Sequence, residues 1–356
     1  MRSIVWTFLL TILISICQAQ TLDILYDEPK DSIHGLALDS KSNFYFLNNE
    51  YFNGPVPGET ILGNNSEVSL AYGKELHYLR AGVMAQLAYG APMKVNWFPV
   101  FTAHYALSPD YSFTLGTLGN GANHKIPIQL MGNETLLNDP LEYGLRFNIS
   151  KKKFGLESWL DWRQLVDTAQ SKSEQFTQGN SIYFIPYADS VWSVKGNAGA
   201  LFYHNGGQGL TVWKPTYTYL NYFASIKVDY HWTKAWKFGF QYSFLGFRNS
   251  KKVAIIPWSS GNAHEAAISI DYKGFSSLFA YYKSNQLYAP FADALFAAGD
   301  FSLPQNEMFY CTLKWTSTPS RPFRFTIGCR LNYYTALKAV DYNYFLATGI
   351  NISTEN

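Results

Sequence analysis

Apolar and polar side chains alternate along most of this chain with a period of two. Tyr143, Leu145, Phe147 and Ile149 alternate with Glu142, Gly144, Arg146 and Asn148. Phe323, Phe325, Ile327, Cys329, Leu331 and Tyr333 alternate with Arg324, Thr326, Gly328, Arg330, Asn332 and Tyr334. Runs from Leu220 to Trp232 and from Trp236 to Phe244 repeat the pattern. Successive side chains of a strand point to opposite faces, so each run predicts a strand with one apolar and one polar surface. Weaker runs lie near 32–47, 65–73, 75–89, 94–108, 109–118, 152–163, 180–188, 191–204, 262–273, 274–284, 306–316 and 340–353. Together they predict about sixteen strands, with a range of about 14–18.

Between the runs, Ser108-Pro109-Asp110, Ser150-Lys151-Lys152, Thr233-Lys234 and Thr318-Pro319-Ser320 read as hairpin turns. Longer segments at 119–141, 164–180, 205–215, 246–261 and 285–305 break the rhythm. They are expected as outer loops or as loops folded inward. The piece at 48–65 carries Pro55 and Pro57, which remove ladder donors, and is expected as a loop or as a plug inside a barrel.

Alternation alone suits a soluble β-sandwich as well as a membrane barrel, and composition separates the two. Charged residues make up 15% of the chain, against about 25% in ordinary soluble domains. The chain carries 10 Trp, 26 Tyr and 26 Phe, and the apolar strand ends are crowded with them, as expected where strand ends meet lipid headgroups. Mean hydropathy is only −0.13, which excludes a bundle of membrane helices. Open sheet edges are not tolerated in hydrocarbon, so such strands must close into a ring. The predicted fold is therefore all-β: a single-chain antiparallel transmembrane β-barrel.

Residues 1–19 read as a cleaved export signal, with Arg2, an apolar stretch from Ile4 to Ile16, and Cys17-Gln18-Ala19 at its end. Cys17 raises a lipoprotein alternative, although Ile16 is larger than the residue usual before a lipidated cysteine. Residues 20–356 then form the barrel domain, exported to the outer membrane of a Gram-negative bacterium. The remaining Cys311 and Cys329 are too few for a disulfide framework and read as small lipid-facing side chains. A net charge of +2 without a basic run leaves no footprint for nucleic acid.

Parity assigns the polar face to the lumen. Its lining candidates are Arg80, Glu142, Arg146, Glu157, Asp161, Lys227, Asp229, Arg324 and Arg330. Two readings of these charges stay open: pairing between neighbouring strands, or a hydrated path with a slight cationic excess that sorts small solutes. Glu157, Trp159, Asp161 and Arg163 share one face and could contact a sugar or an anion, while Trp159 and Trp162 equally suit an aromatic girdle. The seven histidines show no metal-ligand spacing, and no nucleophile elbow or phosphate loop occurs. No catalytic residue, metal or cofactor is expected, and the chain reads as a non-enzyme. Should a lipid-active site exist, His104 and His264 are the residues to inspect.

Asn48-Asn49-Glu50-Tyr51-Phe52, Glu142-Tyr143-Gly144, Trp159-Leu160-Asp161-Trp162 and Gln175-Phe176-Thr177-Gln178-Gly179, with a leader ending Gln18-Ala19-Gln20, resemble porin-like outer-membrane proteins of Bacteroidota. The resemblance implies a Gram-negative outer-membrane barrel and brings no substrate or catalytic residue. Many such barrels end in an aromatic residue, whereas this chain ends Thr354-Glu355-Asn356. Three functions follow as expectations: a channel for small polar solutes such as sugars or anions; a closed barrel serving an outer-membrane protein partner; and, least favoured, a lipid-active enzyme. The bilayer is a partner in all three.

Overall fold

Sixteen strands, each paired antiparallel to its sequence neighbours, close into a ring when the first pairs with the last. The computed structural model describes residues 33–52, 57–90, 92–167, 172–206, 216–250, 256, 258–296, 305–317 and 323–354. The expected signal at 1–19 and the turn Thr318-Pro319-Ser320 lie outside the described residues, as do parts of the segments at 48–65, 164–180, 205–215, 246–261 and 285–305.

The first strands are β1 (Gly35–Glu50), β2 (Thr60–Lys74), β3 (His77–Ala88), β4 (Lys94–Ser108) and β5 (Tyr111–Gly119). After a long inserted segment follow β6 (Glu142–Lys151), β7 (Phe154–Gln164), β8 (Glu174–Ala188), β9 (Trp192–Gly206) and β10 (Tyr217–His231). The ring is completed by β11 (Trp236–Asn249), β12 (Ser260–Tyr272), β13 (Phe275–Asn285), β14 (Gln305–Thr316), β15 (Phe323–Tyr334) and β16 (Ala339–Ser353). Each of the sixteen alternating runs falls on one of these strands, and several strands extend past their runs, β8 back to Glu174 and β11 on to Asn249. The breaks are narrower than the sequence suggests: β1 runs on to Glu50 and β2 starts at Thr60, so strand takes up both ends of the 48–65 piece.

Short connections gather at one end of the barrel and long ones, apart from those between β3 and β4 and between β15 and β16, at the other. Outer-membrane barrels place their short turns in the periplasm. Around the short-turn end runs an outward girdle of rings. Trp192 packs on Tyr230, Trp236 on Tyr272, Phe275 on Trp315 and Trp315 on Phe325. A second girdle at the long-loop end includes Phe46 with Tyr344, Tyr222 with Phe244, and Tyr281 with Phe309. Between them the outer surface is apolar, with Phe240, Ile268, Ile327 and Leu331 all exposed.

The interior is not a hollow. The segment between β5 and β6, which includes a 3₁₀ turn (Gly121–His124) and α1 (Asn133–Asn138), folds into the ring, as does the described part of the β13–β14 connection. Ile128, Leu130, Leu136 and Leu137 from the first, and Leu287, Ala289, Leu295 and Phe296 from the second, are buried in one cluster with Leu47, Leu201, Phe223, Phe247, Tyr282 and Tyr334 of the wall.

Candidate functional site

An inserted loop brings backbone carbonyls that no strand can satisfy, and each needs a donor once buried. The inner wall supplies them as amides. Gln86 donates to the carbonyl of Leu137 at 2.8 Å, Asn221 to Tyr288 at 2.8 Å, Asn197 to Lys125 at 3.0 Å and Asn306 to Leu295 at 3.0 Å. These four amides of the polar face therefore serve as clasps for the inserted segments.

The two segments also cap each other. The N–H of Glu134, in the first turn of α1, donates to Asp293 Oδ1 at 3.0 Å, and the N–H of Ala294 donates to Glu134 Oε2 at 2.9 Å. Gly132 donates to the Phe291 carbonyl at 2.7 Å. A Cβ on Gly132 would lie 2.1 Å from Asp293 N, so only glycine permits this approach. Asn49 of β1 and Arg330 of β15 hold the joint to the wall, at 2.6 Å from Glu134 and 3.8 Å from Asp293 respectively. Burial raises the Glu134 carboxyl to about 8, helped by the charge of Asp293, whose own carboxyl burial also raises.

The second knot centres on His124. Its Nε2–H is given to Glu142 of β6 and its Nδ1–H to Glu157 of β7 at 3.1 Å. The ring stacks on Trp159 with centroids 3.7 Å apart and planes 7° from parallel. Trp159 in turn lies across Gly179 of β8, where a Cβ would come within 2.0 Å of the indole. Burial pulls the imidazole down, but the carboxylates of Glu142 and Glu157 outweigh it and raise His124 to about 9. With both nitrogens engaged, His124 is a charged clamp and not a base. The sequence placed Trp159 in a girdle as readily as in a site; the structure buries it inside, and Trp162 alone joins the outer rings, against Phe176.

The nine lining candidates fall into separate groups. Glu142, Arg146, Glu157 and Asp161 surround His124; Arg146 Nε lies 3.8 Å from Glu157, and Asp161 accepts from the N–H of Tyr143 at 2.9 Å. Arg80 pairs with Glu67 at 3.2 Å. Asp229 lies between Lys227 at 3.4 Å and Lys195 at 3.5 Å, towards the short-turn end. Arg330 serves the joint between the inserted segments, and Arg324 follows its parity nearer the periplasmic end. Arg163 extends past the group on its strand, pairing with Asp139 and lying over the Phe291 ring. Sequence reasoning missed His124, Gln129, Glu134 and Asp293, because they sit in segments without a period. Glu265 of β12, bonded to both Gln129 and Tyr310, joins them inside.

The two histidines singled out for lipid chemistry separate. His104 faces inward, stacked on Tyr78 and 3.0 Å from the Thr114 hydroxyl. His264 faces the bilayer, with Nδ1 2.7 Å from the Tyr242 hydroxyl. The Asn48–Phe52 motif is also split. Asn48 faces outward and donates to Glu50 and Tyr344, at 2.6 and 2.9 Å, whereas Asn49 reaches the inserted helix. Among the described residues no group of His, Cys, Asp and Glu is arranged to hold a metal ion.

The sequence matches the Lipid A 3'-O-deacylase-type family over residues 28–355, nearly its whole length. The chain belongs to that family. A family of lipid A deacylases carries an enzymatic activity, and this overturns the expectation of a non-enzyme; the absence of local motifs was a poor guide, since a site assembled from separate strands leaves none. No curated protein matches the sequence. Among solved structures the deacylase-type barrel resembles OmpTdeltaL8, a loop L8 deletion mutant of the Vibrio cholerae outer membrane protein OmpT, with TM-score 0.53 and 11% identity over 89% of this chain and 99% of that one. OprD of Pseudomonas aeruginosa gives TM-score 0.53 and 11% identity over 92% and 96%. OpdK of the same organism gives 0.52 and 9% over 90% and 100%. At such identities the likeness is one of fold, and it places the deacylase-type chain among outer-membrane barrels.

Proposed function

We propose that the protein is an outer-membrane esterase that removes an acyl chain from an outer-leaflet saccharolipid of the lipid A class, by hydrolysis of a 3'-O ester. The observation that carries this reading is family membership across residues 28–355. The packed lumen supports it from the other side. Ile128, Leu130, Leu245, Leu295 and Phe296 are at most 1% exposed, so an apolar core occupies the level at which a sugar or ion would have to pass. A channel needs a continuous hydrated path.

Expression in a Gram-negative host followed by mass spectrometry of extracted lipid A tests the proposal. The expected result is loss of one acyl group, with a hydroxyl left on the sugar. Liposomes carrying the purified barrel are expected not to swell in small sugars. Unchanged lipid A together with rapid swelling would replace the esterase by a pore.

A further inference from the structure

The outer wall changes character along one row of β12–β14. Going up from the short-turn girdle, β13 presents Phe275, Phe279 and Tyr281 to the bilayer, and β14 presents Trp315, Leu313, Cys311 and Phe309. The next outward positions are ionic. His264 of β12 is the Cα partner of Lys283 on β13, which is the Cα partner of Glu307 on β14. Directly opposed residues have Cβ atoms about 4.5–5.5 Å apart, so the three stand side by side. Lys283 Nζ donates to Glu307 Oε2 at 3.0 Å, and the Tyr281 hydroxyl donates to Glu307 Oε1 at 2.8 Å. Tyr242 flanks His264 from β11 at 2.7 Å.

The depth of this row gives it meaning. His264, Lys283 and Glu307 each lie eight positions along their strand from a girdle aromatic, namely Tyr272, Phe275 and Trp315. At about 3.4 Å per residue and a tilt of about 40°, eight residues climb about 21 Å of an apolar band about 25 Å tall. The row therefore sits at the upper aromatic girdle, with His264 level with Phe244 and Lys283 and Glu307 one outward position beyond Tyr281 and Phe309, at the boundary where the acyl esters of an outer-leaflet lipid meet the headgroups.

We infer that this row is the hydrolytic site, with His264 as the general base and an acyl ester of an outer-leaflet saccharolipid as its substrate. The inference rests on the deacylase reading above. In the tautomer whose Nδ1–H donates to the Tyr242 oxygen, Nε2 carries the lone pair that acts as the base. A water oxygen attacks the ester carbonyl carbon as Nε2 takes the water's proton, and the carbonyl electrons move onto oxygen. Collapse of this tetrahedral species breaks the bond to the sugar oxygen, which takes the proton back from the imidazolium. One water is consumed, and one fatty acid and one sugar hydroxyl form. The Lys283 ammonium stands beside the developing oxyanion. Glu307, itself held by the Tyr281 hydroxyl, holds Lys283, and Tyr242 sets the ring; these three are positioning residues. His204 also faces outward at this end, but its Cα partners are Phe176 and Thr218, neither of them charged.

The test compares wild type, His264→Gln, His264→Ala and His204→Gln, each verified as a folded barrel by its heat-modifiable gel mobility. Each is assayed for fatty-acid release from lipid A in mixed micelles. His264→Gln is expected to lower the rate about 10²–10⁴-fold, the usual weight of a general base, while His204→Gln stays near wild type. Added imidazole is expected to restore part of the rate to His264→Ala, which a merely structural loss would not allow. A folded His264→Gln working at the wild-type rate overturns the site and leaves the deacylase reading standing. A wild type that releases no fatty acid overturns both.

Discussion

Replacing His124 by alanine removes the cation bonded to both Glu142 and Glu157 inside the ring. Breaking a buried ionic cluster by removing one partner costs about 3–5 kcal/mol. Loss of the stack on Trp159 adds about 0.5–1.5 kcal/mol. Proton linkage gives an independent figure. A rise from 6.5 to about 9 is worth about 3–4 kcal/mol at about 1.4 kcal/mol per pH unit. The sign follows from the raised value: the stabilisation is fully present below about pH 6.5 and is lost as pH rises through about 9. Urea unfolding of the refolded barrel in detergent, followed by tryptophan fluorescence, reads this directly. At pH 6 the variant is expected to unfold at a lower urea midpoint, equivalent to about 3 kcal/mol or more. At pH 10 the gap is expected to narrow because the wild type has lost its charge. His124→Gln, which keeps a donor but no charge, is expected between the two. Equal midpoints at pH 6, or a gap unchanged at pH 10, would refute the clamp.

Gly132→Ala drives a methyl into Asp293 and separates the two inserted segments; overpacking of this kind costs about 1–3 kcal/mol. Transient conductance steps in planar bilayers are expected from this variant and not from wild type, and equal silence would show that the joint does not hold the lumen shut. Cys311 faces Leu331 and Cys329 faces Leu313 across β14 and β15, both on the outward parity. Both thiols are expected to react with a small apolar maleimide dissolved in the bilayer and to resist a charged, water-soluble one, as a gel shift would record.

Runs such as 323–334 and 220–232 determined on their own that this chain forms strands with a lipid face and an enclosed face. Period two fixes side-chain direction locally, and the cost of open edges in hydrocarbon then leaves closure as the only outcome. The strand positions, the girdle aromatics and the inward parity of Arg146, Asp229 and Arg330 were legible for that reason. What filled the enclosure was not legible. His124, Glu134 and Asp293 lie in segments without a repeat, and their partners Glu142, Asn49 and Arg330 are distant in sequence, so only closure of the ring brings them together. A polar inner face reads the same whether it meets water or the carbonyls of an inserted loop. The row of His264, Lys283 and Glu307 depends on hairpin register, which a strand's own residues do not specify. Chemistry assembled across neighbouring strands is decided by tertiary structure, because alternation sets which face a side chain takes but not what stands beside it.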